Sequence, residues 1–259
     1  MNARAARRWS IWAVVVAAAA ACALVGWSVW RARAVGPVQR GFAAAAASGC
    51  FGCHAGAGLH GFEDRVGGIG DVPPFSREAL ETYVKSEAEI REWILDGAPR
   101  RVREQPEPPD GKPNVLRMPA WRGVLSARQV DDIVAYVKAV SDYHRPSDSE
   151  AEAGRQAAMR LACFGCHGPQ GRGSLPNPGS FRGCIPAWDG PHFADVAANE
   201  DEVREWILDG STRRLRGHPV ARVFMRRQAV QMPAYRGRLI EGELESLLAY
   251  MRWLRGQRP

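Results

Sequence analysis

The longest apolar stretch opens the chain. Residues 9–30, WSIWAVVVAAAAACALVGWSVW, hold 22 residues without a charge, enough to cross a bilayer core as a helix. Trp9 and Trp12 stand at one end and Trp27 and Trp30 at the other, where interfacial aromatics belong. Arg4, Arg7 and Arg8 precede the segment and Arg31, Arg33 and Arg40 follow it. This near balance does not set an orientation by itself. A cleaved signal peptide, with Ala32-Arg33-Ala34 as the small-residue site, is the alternative. The apolar run exceeds the usual signal core of about 7–15 residues, so residues 1–34 are read as a retained membrane anchor. Cys22 follows a run of alanines, but the apolar run continues past it through Ala23-Leu24-Val25. It is read as a small lipid-facing residue rather than an acylation site.

Beyond the anchor the apolar positions recur at helical spacing, and no stretch sustains strand alternation. Ile90, Trp93 and Ile94 share one face, as do Val203, Trp206 and Ile207. Ser86 with Glu89 and Asn199 with Glu202 have capping-box spacing at the start of these two helices. Gly97 and Gly210 stand where a C-cap glycine is expected. A later helix starts at Ser126-x-x-Gln129 and buries Val130, Ile133, Val134 and Val137; its counterpart buries Leu244, Leu247, Leu248 and Met251. Residues 39–49 and 149–162 each read as a helix leading into a cysteine motif.

These elements come in pairs because the sequence repeats. Cys50-Phe-Gly-Cys53-His54 recurs as Cys163-Phe-Gly-Cys166-His167, and Arg91-Glu-Trp-Ile-Leu-Asp-Gly97 recurs unchanged from Arg204 to Gly210. Met118-Pro-Ala-Trp-Arg-Gly123 recurs as Met232-Pro-Ala-Tyr-Arg-Gly237. The exported part is therefore a tandem duplication, with copies at 35–145 and 146–259. They join in the polar stretch DYHRPSDSE, Asp142 to Glu150. Each copy should be a handful of short helices joined by long Gly/Pro-rich loops, and loops of that length in a compact domain signal function or a bound group. The expected fold class is all-α.

Charge changes this picture little. The chain of 259 residues has a formal net charge of +7, carried by 35 basic and 28 acidic residues. Only three of the basic residues are lysines. Residues 1–34 supply five arginines and no acid, so most of the excess flanks the apolar segment. Residues 35–145 hold 14 basic and 15 acidic groups, and 146–259 hold 16 and 13. A mildly basic globular part does not call for nucleic acid. Six arginines between 213 and 227 suggest a docking patch for an acidic redox partner, though an arginine-rich coding bias explains them nearly as well.

Four of the six cysteines decide the chemistry. C-x-x-C-H reads as a covalent haem attachment site. Two thiols a helical turn apart can add to the two vinyl groups of one porphyrin, and the adjacent imidazole then meets the iron. A redox dithiol would want a strand-to-helix setting. A four-cysteine zinc site would have to bridge the long interval between Cys53 and Cys163 and leave two histidines unexplained. For the sixth ligand, Met118 and Met232 recur in the same M-P-A motif, in polar loops rather than on a helix face. Histidine with methionine is a pairing that raises the reduction potential. Met225 is an alternative for the second iron, without a counterpart in the first copy. Cys184 also lacks a counterpart, Asp71 standing in its place, and is read as a small loop thiol. His60, His144, His192 and His218 are unrepeated surface or loop residues.

The succession of helix, C-x-x-C-H, long loop, W-I-x-x-G, M-P-A-x-x-G and final amphipathic helix resembles a class I cytochrome c domain. Two copies behind one anchor resemble the membrane-anchored dihaem cytochromes of bacterial respiratory chains. The resemblance covers residues ~38–256. It implies two covalent haem c groups: thioethers from Cys50 and Cys53 with His54 and Met118 on one iron, and from Cys163 and Cys166 with His167 and Met232 on the other. It implies that Pro73 and Pro186 accept the imidazole N–H through their carbonyls. It implies a glycine-on-aromatic contact between first and last helices, Gly41 with Tyr136 and Gly154 with Tyr250; the bulky residue expected four after that glycine is Ala45 and Ala158 here. Trp93 and Trp206 stand as haem-edge or propionate residues or as plain core, and Arg100, Arg101, Arg213 and Arg214 as propionate partners or solvated loop. The implied function is electron transfer, without catalytic residues, between redox partner proteins at the periplasmic face of a bacterial inner membrane. The alternatives are a dihaem redox enzyme of peroxidase or thiosulfate-oxidising type, and a gas sensor; both need an open iron site.

Overall fold

The computed structural model describes residues 3–32, 35–63, 71–105 and 116–257. The side chains of Trp9 and Trp30, the arginines at 4, 7, 8, 31 and 33, and the Ala32–Ala34 site lie outside that description. Helix α1 (Ala3–Ala32) contains an 18-residue apolar window, Trp12–Val29, with a mean hydropathy of 2.0 and no part of it buried in the chain. The retained-anchor reading needs such a helix, and a signal sequence would form one too.

The first copy holds α2 (Pro37–Ala47), α3 (Arg77–Tyr83), α4 (Glu87–Asp96), α5 (Arg100–Arg103) and α6 (Ala127–Val140). The second holds α7 (Ser149–Arg160), α8 (Phe164–His167), α9 (Phe193–Val196), α10 (Glu200–Asp209), α11 (Arg213–Gly217), α12 (Pro219–Arg227) and α13 (Glu243–Gly256). Among the described residues there is no sheet, only the isolated bridges Phe62–Val72 and Pro176–Cys184.

Each core forms where the first helix of a copy crosses its last. The crossing is close because a glycine sits in it. A Cβ added to Gly41 would lie 1.9 Å from the Asp132 carbonyl oxygen and 2.8 Å from Tyr136 Cβ. One added to Gly154 would lie 1.8 Å from the Ser246 oxygen and 2.9 Å from Tyr250 Cβ. Ala45 and Ala158, one turn on, are wholly buried, so small residues fill the seam where the resemblance implied bulk. Val130, Ile133, Val134 and Val137 are buried on α6 as expected, and Leu247, Leu248 and Met251 on α13, with Leu244 half-buried.

Capping differs between copies. Ser126 and Gln129 form the full capping box of α6. Asn199 caps α10, accepting from Glu202 N. Ser86 does not cap α4 with its side chain; there Glu89 accepts from Lys85 N instead. Gly97 and Gly210 end α4 and α10 in the left-handed conformation, φ 76° and 69°.

The junction is less polar than its composition suggests. Asp142 is buried with φ 54°. Its carboxylate meets Arg155 of α7 at 3.3 Å and also pairs with Arg145, while its carbonyl accepts from Arg77 of α3 at 2.8 Å. Asp148 then caps α7 through Ala151 N. The linker is thus tied to both copies by charge-assisted hydrogen bonds.

Gly41→Ala and Gly154→Ala force backbone apart at these seams. Each should cost about 1–3 kcal/mol or more of unfolding free energy. Gly217→Ala, where a Cβ meets nothing within 4 Å, should stay within about 0.5 kcal/mol. Denaturant unfolding of the three variants checks the ranking.

Candidate functional site

Each cysteine motif hangs from the C-terminus of the first helix of its copy. Cys163 N donates to Ala158 O at 2.9 Å, continuing the chain out of α7. His54 N donates to Cys50 O and His167 N to Cys163 O, both at 3.0 Å. Cysteine, cysteine and histidine therefore share one helical turn in each copy.

A second contact orients the histidine. Nδ1 of His54 lies 3.0 Å from Pro73 O, and Nδ1 of His167 lies 3.1 Å from Pro186 O. A carbonyl only accepts, so Nδ1 donates and Nε2 carries the lone pair. The proline carbonyls are the acceptors that the resemblance implied. His54 packs on Phe75, ring centroids 4.6 Å apart, and His167 on Trp188 at 5.1 Å. Burial pushes both imidazoles below the usual histidine range, opposed by the proline carbonyls. The neutral ring, which is the metal-ligating form, is favoured.

The first cysteine of each pair lacks the character of a reactive dithiol. Burial pushes the Cys50 thiol up and the Cys163 thiol up to about 11, whereas reactive dithiols have depressed values. Among the described residues no three His, Cys, Asp or Glu side chains converge on a metal position, so the two cysteine pairs do not meet as a zinc site. Each pair keeps to its own copy.

The methionine loops are seated on the helices before them. The Cβ that Gly97 lacks would lie 2.4 Å from Met118 O, and that of Gly210 2.4 Å from Met232 O. Trp121 N donates to Ile94 O and Arg122 N to Leu95 O; Tyr235 N donates to Ile207 O and Arg236 N to Leu208 O. These bonds use the last carbonyls of α4 and α10, which have no partner inside the helix. Arg122 forks onto Asp96 at 2.7 and 2.8 Å, and Arg236 reaches Asp209. The repeated W-I-L-D-G and M-P-A-x-R-G motifs are thus two sides of one joint. Met118, like Cys50 and Phe75, packs against the first core, and Met232, like Cys163, against the second.

In the second copy the parts surround a cavity of about 460 Å³, within the range of small-molecule sites. Cys163, Cys166, His167 and Met232 line it together, and Met225 and Cys184 belong to its wall. Two thiols, a neutral imidazole and a thioether around an apolar space are the donor set of a covalently held haem. The residues present fit that group.

Other candidates have different places. Trp93 Nε1 donates to Tyr83 O and Trp206 Nε1 to Val196 O, so both indole N–H groups serve the backbone rather than a propionate; Trp206 also lines the cavity. Arg100 pairs with Glu104, Arg101 with Glu89, Arg213 with Glu205 and Arg214 with Glu202. Those arginines are neutralised by glutamates of their own copy. His218 caps α12, accepting from Ala221 N, and His192 lies beside Asp195. Phe75 and Trp188, the rings under the histidines, escaped the sequence reading. Each stands two residues after the proline whose carbonyl the histidine meets, and the shared offset was the available signal.

Residues 151–255 match the family model described as cytochrome c, and residues 36–137 match that of cytochrome c oxidase, cbb3-type, subunit III. No curated protein and no solved structure matches the chain. The chain carries a cytochrome c-like domain and a domain related to that oxidase subunit, and with them a cytochrome-related electron-transfer role.

Gly210→Ala opposes the left-handed backbone and drives a methyl into the Met232 carbonyl, at a cost of about 1–3 kcal/mol. Amide exchange at Tyr235 and Arg236 should quicken, since the bonds to Ile207 and Leu208 are those the seat maintains. Unchanged exchange would mean that the glycine does not hold the methionine loop.

Proposed function

We propose that this chain is a membrane-anchored dihaem c-type cytochrome that carries electrons between partner proteins at the periplasmic face of a bacterial inner membrane. The observation that carries the reading is that one arrangement is built twice. In each copy a Cys-x-x-Cys-His turn has its imidazole on a proline carbonyl, and a methionine loop is seated on a helix C-cap glycine.

Cys50 and Cys53, with His54 and Met118 as axial ligands, would hold the haem of residues 35–145. Cys163 and Cys166, with His167 and Met232, would hold that of residues 146–259. The bound iron supplies one-electron chemistry between its ferric and ferrous states. The protein's part is to fix the ligands and their surroundings. The Pro73 and Pro186 carbonyls hold the proton on Nδ1 and leave Nε2 for the metal. Phe75 and Trp188 keep each ring from turning. The seated M-P-A loop limits movement of the thioether, so the ligand set need not rearrange when charge changes. Apolar walls exclude water and help to set the potential.

The same features favour a carrier over an enzyme. Catalysis at iron, like gas sensing, needs an exchangeable position, and each copy offers its own methionine. Attachment of haem to C-x-x-C-H takes place outside the cytoplasm in this class of protein, which places residues 35–259 beyond the membrane and the N-terminus inside.

Two measurements test the reading. Intact mass of the wild-type chain made with a competent haem-attachment system should exceed the apo mass by two haems. The Cys163→Ala/Cys166→Ala variant should lose one of them and keep the other, and an unmodified wild-type chain would overturn the assignment.

Carbon monoxide separates carrier from enzyme or sensor. The reduced wild type should stay low-spin and bind none. Met118→Ala and Met232→Ala should each open one haem to it with both covalent attachments intact. Binding to the wild type, or peroxide or thiosulfate turnover, would support the enzyme instead.

A further inference from the structure

The second copy carries α12, a helix that the axial-ligand and cysteine chemistry does not require. Its sequence, PVARVFMRR, places Ala221, Phe224 and Met225 half-buried against the cavity. Its exposed side chains are unusual for a soluble surface. Val220 and Val223, neighbours at i and i+3, are 55% and 49% exposed, and Phe181, in ring contact with Phe224, is 44% exposed; Val220 and Phe181 also border the cavity. Arg222, Arg226 and Arg227 are exposed on the same helix. Unlike Arg213 and Arg214, they make no ion pair among the described residues.

This surface is joined to the anchor. The ring of Phe181 meets Trp27 of α1 edge-on, centroids 6.1 Å apart, and meets Phe224 of α12 edge-on at 5.2 Å. Trp27 lies two residues before the end of the apolar window, the depth at which tryptophan marks the edge of a bilayer. The loop bearing Phe181 is closed by Asn177 N donating to Gly183 O at 2.8 Å, and the residues before Phe181 tie it to its neighbours. Ser174 Oγ accepts from Gly36 N at the start of α2. Asn177 brackets Val230 with two bonds of 2.9 Å, and Ala229 N donates to Pro178 O at 2.8 Å. The end of the membrane helix, this loop and α12 therefore form a continuous path.

From these contacts we propose that the second copy rests on the bilayer that α1 crosses. Phe181, Val220 and Val223 enter the boundary between headgroups and acyl chains, and Arg222, Arg226 and Arg227 bind the phosphates of anionic lipid. Exposed apolar side chains flanked by arginine are the pattern of an interfacial helix, and each basic side chain adds attraction to an anionic leaflet. The proposal rests on the reading of α1 as a membrane anchor. Its consequence is that the haem-binding cavity of the second copy, with α12 as part of its wall, lies against the membrane.

Hydrogen exchange on the full haem-loaded chain tests it. The chain is compared in detergent micelles, in phosphatidylcholine nanodiscs, and in nanodiscs also containing phosphatidylglycerol. Exchange across residues 219–230 should slow by at least about tenfold in the phosphatidylglycerol discs relative to micelles. Slowing should be weaker in phosphatidylcholine alone and should fade as salt is raised. The Arg222→Gln/Arg226→Gln/Arg227→Gln variant, altered only at exposed side chains, should lose the lipid-dependent part while keeping its haem spectrum. Equal exchange in all three settings, or full protection retained in the variant, overturns the proposal. Equal exchange in the discs together with protection by an added acidic protein would assign the patch to a partner instead, and likewise overturns it. Failure of the chain to enter nanodiscs at all would remove the anchor reading, a different result from a chain that enters them with α12 unprotected.

Discussion

Contact between the first and last helices of each copy sets the geometry of everything else. With Gly41 or Gly154 in the seam, two helix backbones come within the distance of one missing methyl group. That approach carries Tyr136 and Tyr250 into the core, where their hydroxyls donate to Ala57 O and Gln170 O in the loop just after each histidine. The cysteine motif leaves the first helix directly above this crossing. A wider seam would move the turn and the proline segment that the histidine meets. The polar dressing of the seam is free to vary: Arg40 forks onto buried Asp132 at 2.6 and 2.8 Å in the first copy, while alanine and serine, Ala153 and Ser246, occupy the matching positions in the second. Steric closeness is what the two copies share.

Much of this was legible in the sequence because duplication turned single coincidences into pairs. One C-x-x-C-H is a modest signal, and two at the same place in a repeated helical frame are a strong one. Pairing also singled out Pro73 with Pro186 and Gly97 with Gly210, and the observed contacts of all four are backbone contacts, which depend on chain path more than on side-chain choice. The reading was weakest where function depends on which of several polar partners a side chain finds. Trp93 and Trp206 were open between cofactor and core because an indole N–H satisfies a carbonyl as well as a propionate. Arg100, Arg101, Arg213 and Arg214 were open for the same reason, and glutamates four to twelve residues away pair with them. Ser86 has the right spacing for a cap, yet its side chain does not bond the helix start.

The junction shows the limit of composition in another way. DYHRPSDSE has the residues of a solvated linker, and its first aspartate is buried between the copies. Arg155 is buried with it and is shared between Asp142 and Glu152. Burying such charges is costly unless geometry and further hydrogen bonds offset desolvation. Here the Asp142 carbonyl is also claimed by Arg77, so removing one member would strand the others. A linker held this way favours one arrangement of the two copies over a loose tether.

The two copies, though repeated, do not present the same outer surface. The first is closed around its core by α2 and α6, with charge pairs along the seam. The second carries α12, which lines the cavity and exposes Val223 and three arginines that make no ion pair among the described residues. An electron carrier needs its two sites to be distinguishable, since electrons must enter at one place and leave at another. Identical ligand sets would give similar potentials if the surroundings were also identical. Burial, exposure to solvent and nearby charge are the remaining levers by which a protein separates potentials. The chain differs at α12 between the copies, PEPPDGKPNV at 106–115 against PVARVFMRRQ at 219–228, so a difference in charge and apolar character lies in the surroundings of the ligands rather than in the ligands themselves.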